Sequence, residues 1–184
     1  IMNYINSTMF LNIKMLKNKY ILIVIVMMLF SFFSLNNINT REIPDSAYDF
    51  TFVDIDGKGL PLSQFKGKPL LIFNSASKCG FTSQYTGIQK IHENYKNKGL
   101  IVIGVPSDNF NQEPGSEEDI KKFCMVNFNI SFDLTKKNNV VGSETHPFFK
   151  WLDDNYDAKP KWNFYKFVIN KDGKLENHFS SQVL

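Results

Sequence analysis

Leu70-Leu71-Ile72-Phe73-Asn74-Ser75-Ala76-Ser77-Lys78-Cys79-Gly80-Phe81 is the stretch that decides how this 184-residue chain folds. Its first four residues are an uninterrupted apolar run, introduced by Lys68-Pro69, and read as a strand buried in the middle of a sheet. Its end carries a thiol and leads into Thr82 to Lys98, where Tyr85, Ile88, Ile91 and Tyr95 recur at three- and four-residue steps before Gly99 stops a helix. The spacing predicts strand, turn and helix, with Cys79 at the helix start. There the unpaired backbone N–H groups and the positive end of the helix dipole favour thiolate over thiol, and the adjacent Lys78 pushes the same way. A thiolate so placed is a nucleophile.

Working outward, Leu100 to Val105 reads as a second buried strand and completes a βαβ unit. Upstream, Tyr48 to Val53 reads as a strand, and Asp56-Gly57 turns the chain into a short strand around Leu60. Downstream, Pro106 to Gly115 is a loop. Ser116 caps a helix that runs to about Asn127, with Glu117, Glu118 and Asp119 in the first turn where the helix dipole prefers acids. Ile130 to Leu134 reads as a short strand, and Pro147 opens a helix carrying Phe148, Phe149, Trp151 and Leu152. Phe164 to Asn170 and Lys174 to Phe179 form a hairpin around Asp172-Gly173. The order predicts an α/β domain of thioredoxin-like fold over residues 47–184, a central mixed sheet flanked by helices.

The composition suits one such domain: 43% of the residues are hydrophobic, 18 of them Phe, enough to fill a core. The net charge of +3 comes from Lys14, Lys17 and Lys19, which precede every acidic residue; the remaining 18 basic residues balance 18 acidic ones. A neutral body offers no basic field for nucleic acid. Residues 1–35 are an N-terminal extension in which Tyr20 to Leu35 is apolar apart from Tyr20, Ser31 and Ser34. With the three lysines before it, this run reads as a signal peptide or membrane anchor, which places the domain outside the cytoplasm, exported or membrane-tethered. Its length, about 16 residues, falls below the ~20 of a spanning helix, and no A-x-A site follows, so cleavage and retention both stay open. Met15 is the expected start, and residues 36–46 read as a polar linker.

Two cysteines, Cys79 and Cys124, are too few for a disulfide scaffold, and their spacing fits no zinc site. His92, His146 and His178 share no ligand spacing either; His146, before Pro147, reads as a structural turn residue. No metal and no cofactor is expected. Cys124 falls with Ile120 and Phe123 on one helix face, where a small apolar core residue is one reading and a second reactive thiol the other.

Asn74-Ser75-Ala76-Ser77-Lys78-Cys79-Gly80-Phe81-Thr82 resembles the peroxidatic motif of the glutathione peroxidase family. Phe110-Asn111-Gln112-Glu113-Pro114-Gly115-Ser116 resembles that family's second block, and Lys161-Trp162-Asn163-Phe164-Tyr165-Lys166-Phe167 its third, so the similarity spans roughly Phe50 to Ser180. The resemblance implies a catalytic tetrad of Cys79, Gln112, Trp162 and Asn163. Chemistry explains the residue types. Amide and indole N–H groups can hold a thiolate and stabilise a departing oxygen without titrating. In the thioredoxin-dependent branch a resolving cysteine follows the second block, and Ile120-Lys121-Lys122-Phe123-Cys124 resembles its segment. Cys124 would then condense with the Cys79 sulfenic acid, and the Ser116–Asn127 helix would unwind locally to let the thiols meet. The implied activity is reduction of hydrogen peroxide and of organic or lipid hydroperoxides, with a thioredoxin-like protein as reductant. Direct use of glutathione by Cys79, and a redox sensor passing its disulfide to a partner protein, are the alternatives. A membrane-anchored disulfide reductase or copper carrier is disfavoured by Thr82, which stands where Cys-x-x-Cys needs its second thiol.

Departures from the family pattern carry expectations of their own. Many members have Pro-Cys-Asn-Gln-Phe before the second block. Here Pro106-Ser107-Asp108-Asn109-Phe110 stands in a loop about two residues shorter, which would loosen the placement of Gln112. About ten residues separate Leu152 from Trp162, too few for the insertion that tetrameric members use, so a monomer is implied. The chain stops at Leu184, before the C-terminal helix the family fold supplies, and is expected to be truncated there.

Overall fold

In the computed structural model, which describes Ile23, Met27 and residues 44–183, the deciding stretch becomes strand β3 (Leu70–Ser75) with all six residues buried. It is central. β3 pairs in parallel with β4 (Ile101–Pro106) on one side and antiparallel with β6 (Lys166–Ile169) on the other. The order β5-β4-β3-β6-β7 is completed by β5 (Asp133–Leu134), parallel to β4, and β7 (Leu175–Phe179), antiparallel to β6. Strands β1 (Thr51–Val53) and β2 (Gly59–Pro61) form a separate antiparallel ribbon.

The two-residue period of a strand explains the two cores. Leu70 and Ile72, with Ile103, Val105, Phe167 and Ile169, face helix α3 (Pro147–Tyr156) through its Phe148, Phe149, Trp151 and Leu152. Leu71 and Phe73, with Val102, face α1 (Gln84–Tyr95) and α2 (Glu117–Phe128) through Tyr85, Ile88, Ile120 and Cys124. Each buried aliphatic or Phe side chain of β3 contributes about 1.5–3 kcal/mol, so this strand anchors both layers. The arrangement is the thioredoxin-like α/β fold expected, a mixed sheet with helices on both faces.

Several local expectations hold for the expected reasons. Ser116 caps α2 in a full capping box, its hydroxyl accepting the Asp119 N–H while Asp119 accepts the Ser116 N–H. Pro147 opens α3, and His146 caps it, Nδ1 accepting the Phe148 N–H while its ring stacks on Phe52. Gly99 takes φ +94° after the helix of Lys96–Lys98 that follows α1.

Others are corrected. Tyr48 is not in a strand: Ser46 and Asp49 form a capping box that winds Ala47–Asp49 into a short 3-10 helix, leaving β1 only Thr51–Val53. Ile130 and Phe132 are core residues outside β5, which keeps two residues. The β6–β7 connection is longer than a two-residue turn, because the Asn170 side chain gathers the Asp172 and Lys174 N–H groups. Gly173 there has φ +80°, and a Cβ would lie 1.9 Å from Ser46 Oγ, so the hairpin and the N-terminal 3-10 helix meet only over glycine.

The chain divides into two units, Ile1–Glu42 and Ile43–Leu184. In the first, Ile23 and Met27 are helical and exposed. The expected signal or anchor, the start at Met15 and residues 36–43 of the linker otherwise lie outside the described residues. Among the described residues no helix is long and apolar enough to cross a membrane.

Candidate active site

The strand-to-helix junction differs in one respect from its sequence reading. α1 begins at Gln84, so Cys79 lies ahead of the helix in a run of turns closed by Thr82 N–H to Cys79 O (3.0 Å), Gln84 N–H to Phe81 O (2.9 Å) and Tyr85 N–H to Thr82 O (3.1 Å). The first helical N–H groups are engaged in winding this lead-in. The donor to the sulfur comes instead from the turn: the Phe81 N–H points at Cys79 Sγ, 3.4 Å away. Thr82 keeps the turn in shape, its Oγ1 accepting the Cys79 N–H (3.0 Å) and lying 2.9 Å from Ala76 O and 2.7 Å from Cys79 O as donor. The position that lacks a second thiol is thus a buried scaffold for the first. Cys79 is buried, 8% exposed, while Lys78 and Gly80 on either side face solvent.

The second block is held against this turn by two kinds of bond. The Lys78 N–H donates to Gln112 O at 3.0 Å. Glu113, 1% exposed, accepts from the Ser77 N–H (2.8 Å) and the Ser77 hydroxyl (3.0 Å) through one oxygen, and its own N–H donates to Asp108 (2.8 Å). Burial pushes the Glu113 carboxyl above its ordinary range; the Ser77 bonds and Lys137 pull it back. The short loop that carries Gln112 is fastened at Asn109. Asn109 Oδ1 accepts from Val140 (2.6 Å) and Val141 (3.3 Å), and Asn111 adopts φ 55° to complete the bend.

The third block is anchored by Asn74, the polar residue that follows the apolar run of β3. Its side chain donates to Trp162 O (3.0 Å) and accepts from the Tyr165 N–H (3.0 Å), while its carbonyl accepts from Phe164 (2.7 Å). Asn163 is thereby turned inward, fully buried, and its Nδ2 donates to Gln112 Oε1 at 2.9 Å. That bond uses the Gln112 acceptor and leaves the Gln112 NH2 group free of protein acceptors in the hydrogen bonds of the described residues. Asn163 Oδ1 is buried without a partner. Trp162 is 40% exposed, its ring 5.3 Å from that of Phe110 at the rim. The structure therefore joins Cys79, Gln112 and Asn163 through one hydrogen-bonded frame and sets Trp162 at its edge.

Cys124 stands apart. It occupies the last full turn of α2, fully buried, and both cysteines are free thiols. Burial pushes its thiol up to about 11, with the Tyr85 hydroxyl opposing that shift and Glu113 adding to it. The two cysteines share one apolar cluster with Phe73, Ala76 and Phe164.

Sequence reasoning missed several residues of the frame: Asn74, Ser77, Thr82, Glu113, Ser181 and Lys166. Ser181 donates to Asn163 O (2.6 Å), and Gln84 Nε2 holds Ser181 O (2.5 Å). Lys166, 5% exposed, donates to Gln84 Oε1 (2.6 Å), Phe164 O (3.0 Å) and Val183 O (2.5 Å), and burial pushes it down to about 8. An Asn and a Ser ending an otherwise apolar buried strand are a readable signal for one of these; Thr82 acts on residues three and six away, and Ser77, Glu113, Ser181 and Lys166 depend chiefly on contacts 17 to 97 residues apart.

This frame can accept charge: one backbone N–H, that of Phe81, donates to a buried thiol beside the Gln112–Asn163 pair, and no carboxylate touches the sulfur in the described hydrogen bonds. Residues 47–153 match the family model described as glutathione peroxidase. The chain is 41% identical over 139 residues to the "Glutathione peroxidase-like peroxiredoxin gpx1" of Schizosaccharomyces pombe, covering 73% of this chain and 88% of that one. It is 38% identical over 143 residues to a "Glutathione peroxidase" of Lactococcus lactis, covering 74% and 90%. The crystal structure of T. cruzi GPX1 superposes with a TM-score of 0.58 at 32% identity, over 74% of this chain and 87% of that chain. Motifs, fold and relatives agree, and the chain belongs to the glutathione peroxidase family, an oxidoreductase of peroxidase type on a thioredoxin-like fold.

Proposed function

We propose that the protein is a two-thiol peroxidase in which Cys79 attacks the peroxide and Cys124 resolves the product. The observation that carries the reading is the Phe81 N–H directed at Cys79 Sγ within a turn bonded to the Gln112–Asn163 pair. The Cys79 thiolate attacks one peroxide oxygen; the O–O bond breaks, and the departing oxygen takes a proton to leave as water or alcohol. Gln112 and Trp162 supply N–H donors to the charge that moves onto that oxygen, and Asn163 fixes Gln112 so that its NH2 group points to the reaction. Cys79 is left as a sulfenic acid. Cys124 then displaces its hydroxyl, releasing water, and a thioredoxin-like dithiol reduces the Cys79–Cys124 disulfide. Because Cys124 lies buried in the last turn of α2, resolution requires that turn to open; Asn129, at φ 49° just beyond it, ends the helix there.

A second reading, direct reduction of the sulfenic acid by glutathione, is favoured by the complete burial of Cys124. Peroxide consumption by wild type and Cys124→Ser, each with a thioredoxin-like dithiol and with glutathione, separates them. Loss of turnover in Cys124→Ser with the dithiol supports the two-thiol cycle; full glutathione-driven turnover in that variant supports the second. The apolar stretch at residues 20–35 supports export or tethering of this domain, and fractionation of the full chain with its N-terminus sequenced tests that placement.

A further inference from the structure

Tyr85 carries a hydroxyl its surroundings do not need. Its ring is completely buried, 6.0 Å from Phe73, 5.3 Å from Phe128 and 5.2 Å from Phe164 between ring centres. A Phe would fill this cage of Phe rings equally well. The Tyr85 hydroxyl has no hydrogen-bond partner of ordinary geometry, and neither does the Ser75 hydroxyl beside it, although both are shut away from solvent. A buried, unpartnered hydroxyl is destabilising, and its retention calls for an explanation, of which a role in redox chemistry is one.

Cys124 is among its buried neighbours. Phe128, against which the Tyr85 ring rests, lies one helical turn beyond Cys124 on the same face of α2, and Tyr85 and Cys124 lie in one buried cluster. The electrostatic influence runs both ways: the Tyr85 hydroxyl eases ionisation of the Cys124 thiol against its burial, and burial first, then the thiol's charge, hold the phenol in its neutral, donating form. Glu113 is the charged group that opposes ionisation of both.

We propose that Tyr85 is a positioning residue for the resolving step, its hydroxyl donating a hydrogen bond to the Cys124 sulfur as the thiol gives up its proton. This rests on the reading of Cys124 as the resolving thiol. In the step, the Cys124 sulfur forms the S–S bond with Cys79, the S–O bond of the Cys79 sulfenic acid breaks, and the hydroxide leaves as water with the thiol proton. Tyr85 donates and is not consumed.

The test is a single turnover of the full chain with stoichiometric hydrogen peroxide, in wild type, Tyr85→Phe and Cys124→Ser. Acid quenching and thiol alkylation at successive times report Cys79 oxidation and disulfide formation separately, and a melting curve is taken for each protein. Tyr85→Phe is expected to oxidise Cys79 at the wild-type rate, form the disulfide at least about tenfold more slowly, and melt at the same or a higher temperature. A disulfide formed at the wild-type rate overturns the proposal, as does equal slowing of both steps with a lowered melting temperature, which is the mark of a packing role. If wild type forms no Cys79–Cys124 disulfide and Cys124→Ser turns over normally, it is the resolving role of Cys124 that falls, and the role of Tyr85 with it.

Discussion

Cys79 and Cys124 are the same side chain in the same apolar cluster, yet the backbone around them gives them different chemistry. Cys79 sits in a turn whose N–H groups are not all committed to a helix, so one can reach the sulfur, and the neighbouring Lys78 N–H recruits the Gln112 loop. Cys124 sits inside α2, where the local N–H groups serve the helix, and burial pushes its thiol up to about 11. The lesson is that burial by itself makes a thiol inert, and that donors supplied by an irregular backbone turn a buried thiol into a candidate nucleophile.

The largest expected effect breaks this comparison at its stronger member. Cys79→Ser should lower peroxide consumption by about 10³-fold or more with any reductant, whereas Cys124→Ser should leave the first oxidation of Cys79 within about twofold while stopping the dithiol-driven cycle. Stopped-flow oxidation beside steady-state turnover reads both. Next comes the donor frame. Gln112→Ala and Asn163→Ala should each slow oxidation of Cys79 by roughly 10²-fold, and the double variant should be little worse than either, because the two amides act as one hydrogen-bonded unit. Additive losses in that cycle would show that each amide contacts the reaction independently.

Smaller and purely structural is the effect of Lys166, which links β6, α1 and the segment around Val183 behind Asn163. Its folded value is depressed to about 8 from 10.5, so the unfolded chain binds the extra proton between those values. Stability from this group is therefore present in full above 10.5 and lost as pH falls through about 8. Melting temperatures of wild type and Lys166→Met across pH 7 to 10.5 should diverge in wild type's favour as pH rises; parallel curves would mean that Lys166 keeps its proton in the folded protein.

Most of the scaffold could be read from the chain because its signals are local. Leu70 to Phe73 declares a buried strand, Ser116 and Asp119 declare a helix start, and Pro147 another. The start of the domain departs from the strand pattern because Tyr48 and Phe50 look like strand formers, while the Ser46–Asp49 capping box that winds Ala47–Asp49 spans only four residues. The candidate site was legible only through its resemblance to a family. Cys79 announces itself by position, but nothing near Gln112 or Asn163 says that their amides meet across 51 residues. Nor does the chain announce that Asn74 turns the third block inward from 88 residues away. Such partners are fixed by sheet register, β3 lying between β4 and β6, which periodicity does not encode.

The measurement that bears most directly on the central claim is mass-spectrometric mapping of the full chain after one equivalent of hydrogen peroxide, without reductant. The account predicts a Cys79-containing peptide joined to a Cys124-containing peptide with loss of two hydrogens. A sulfenic or sulfinic acid retained on Cys79 beside an unmodified Cys124 would contradict it.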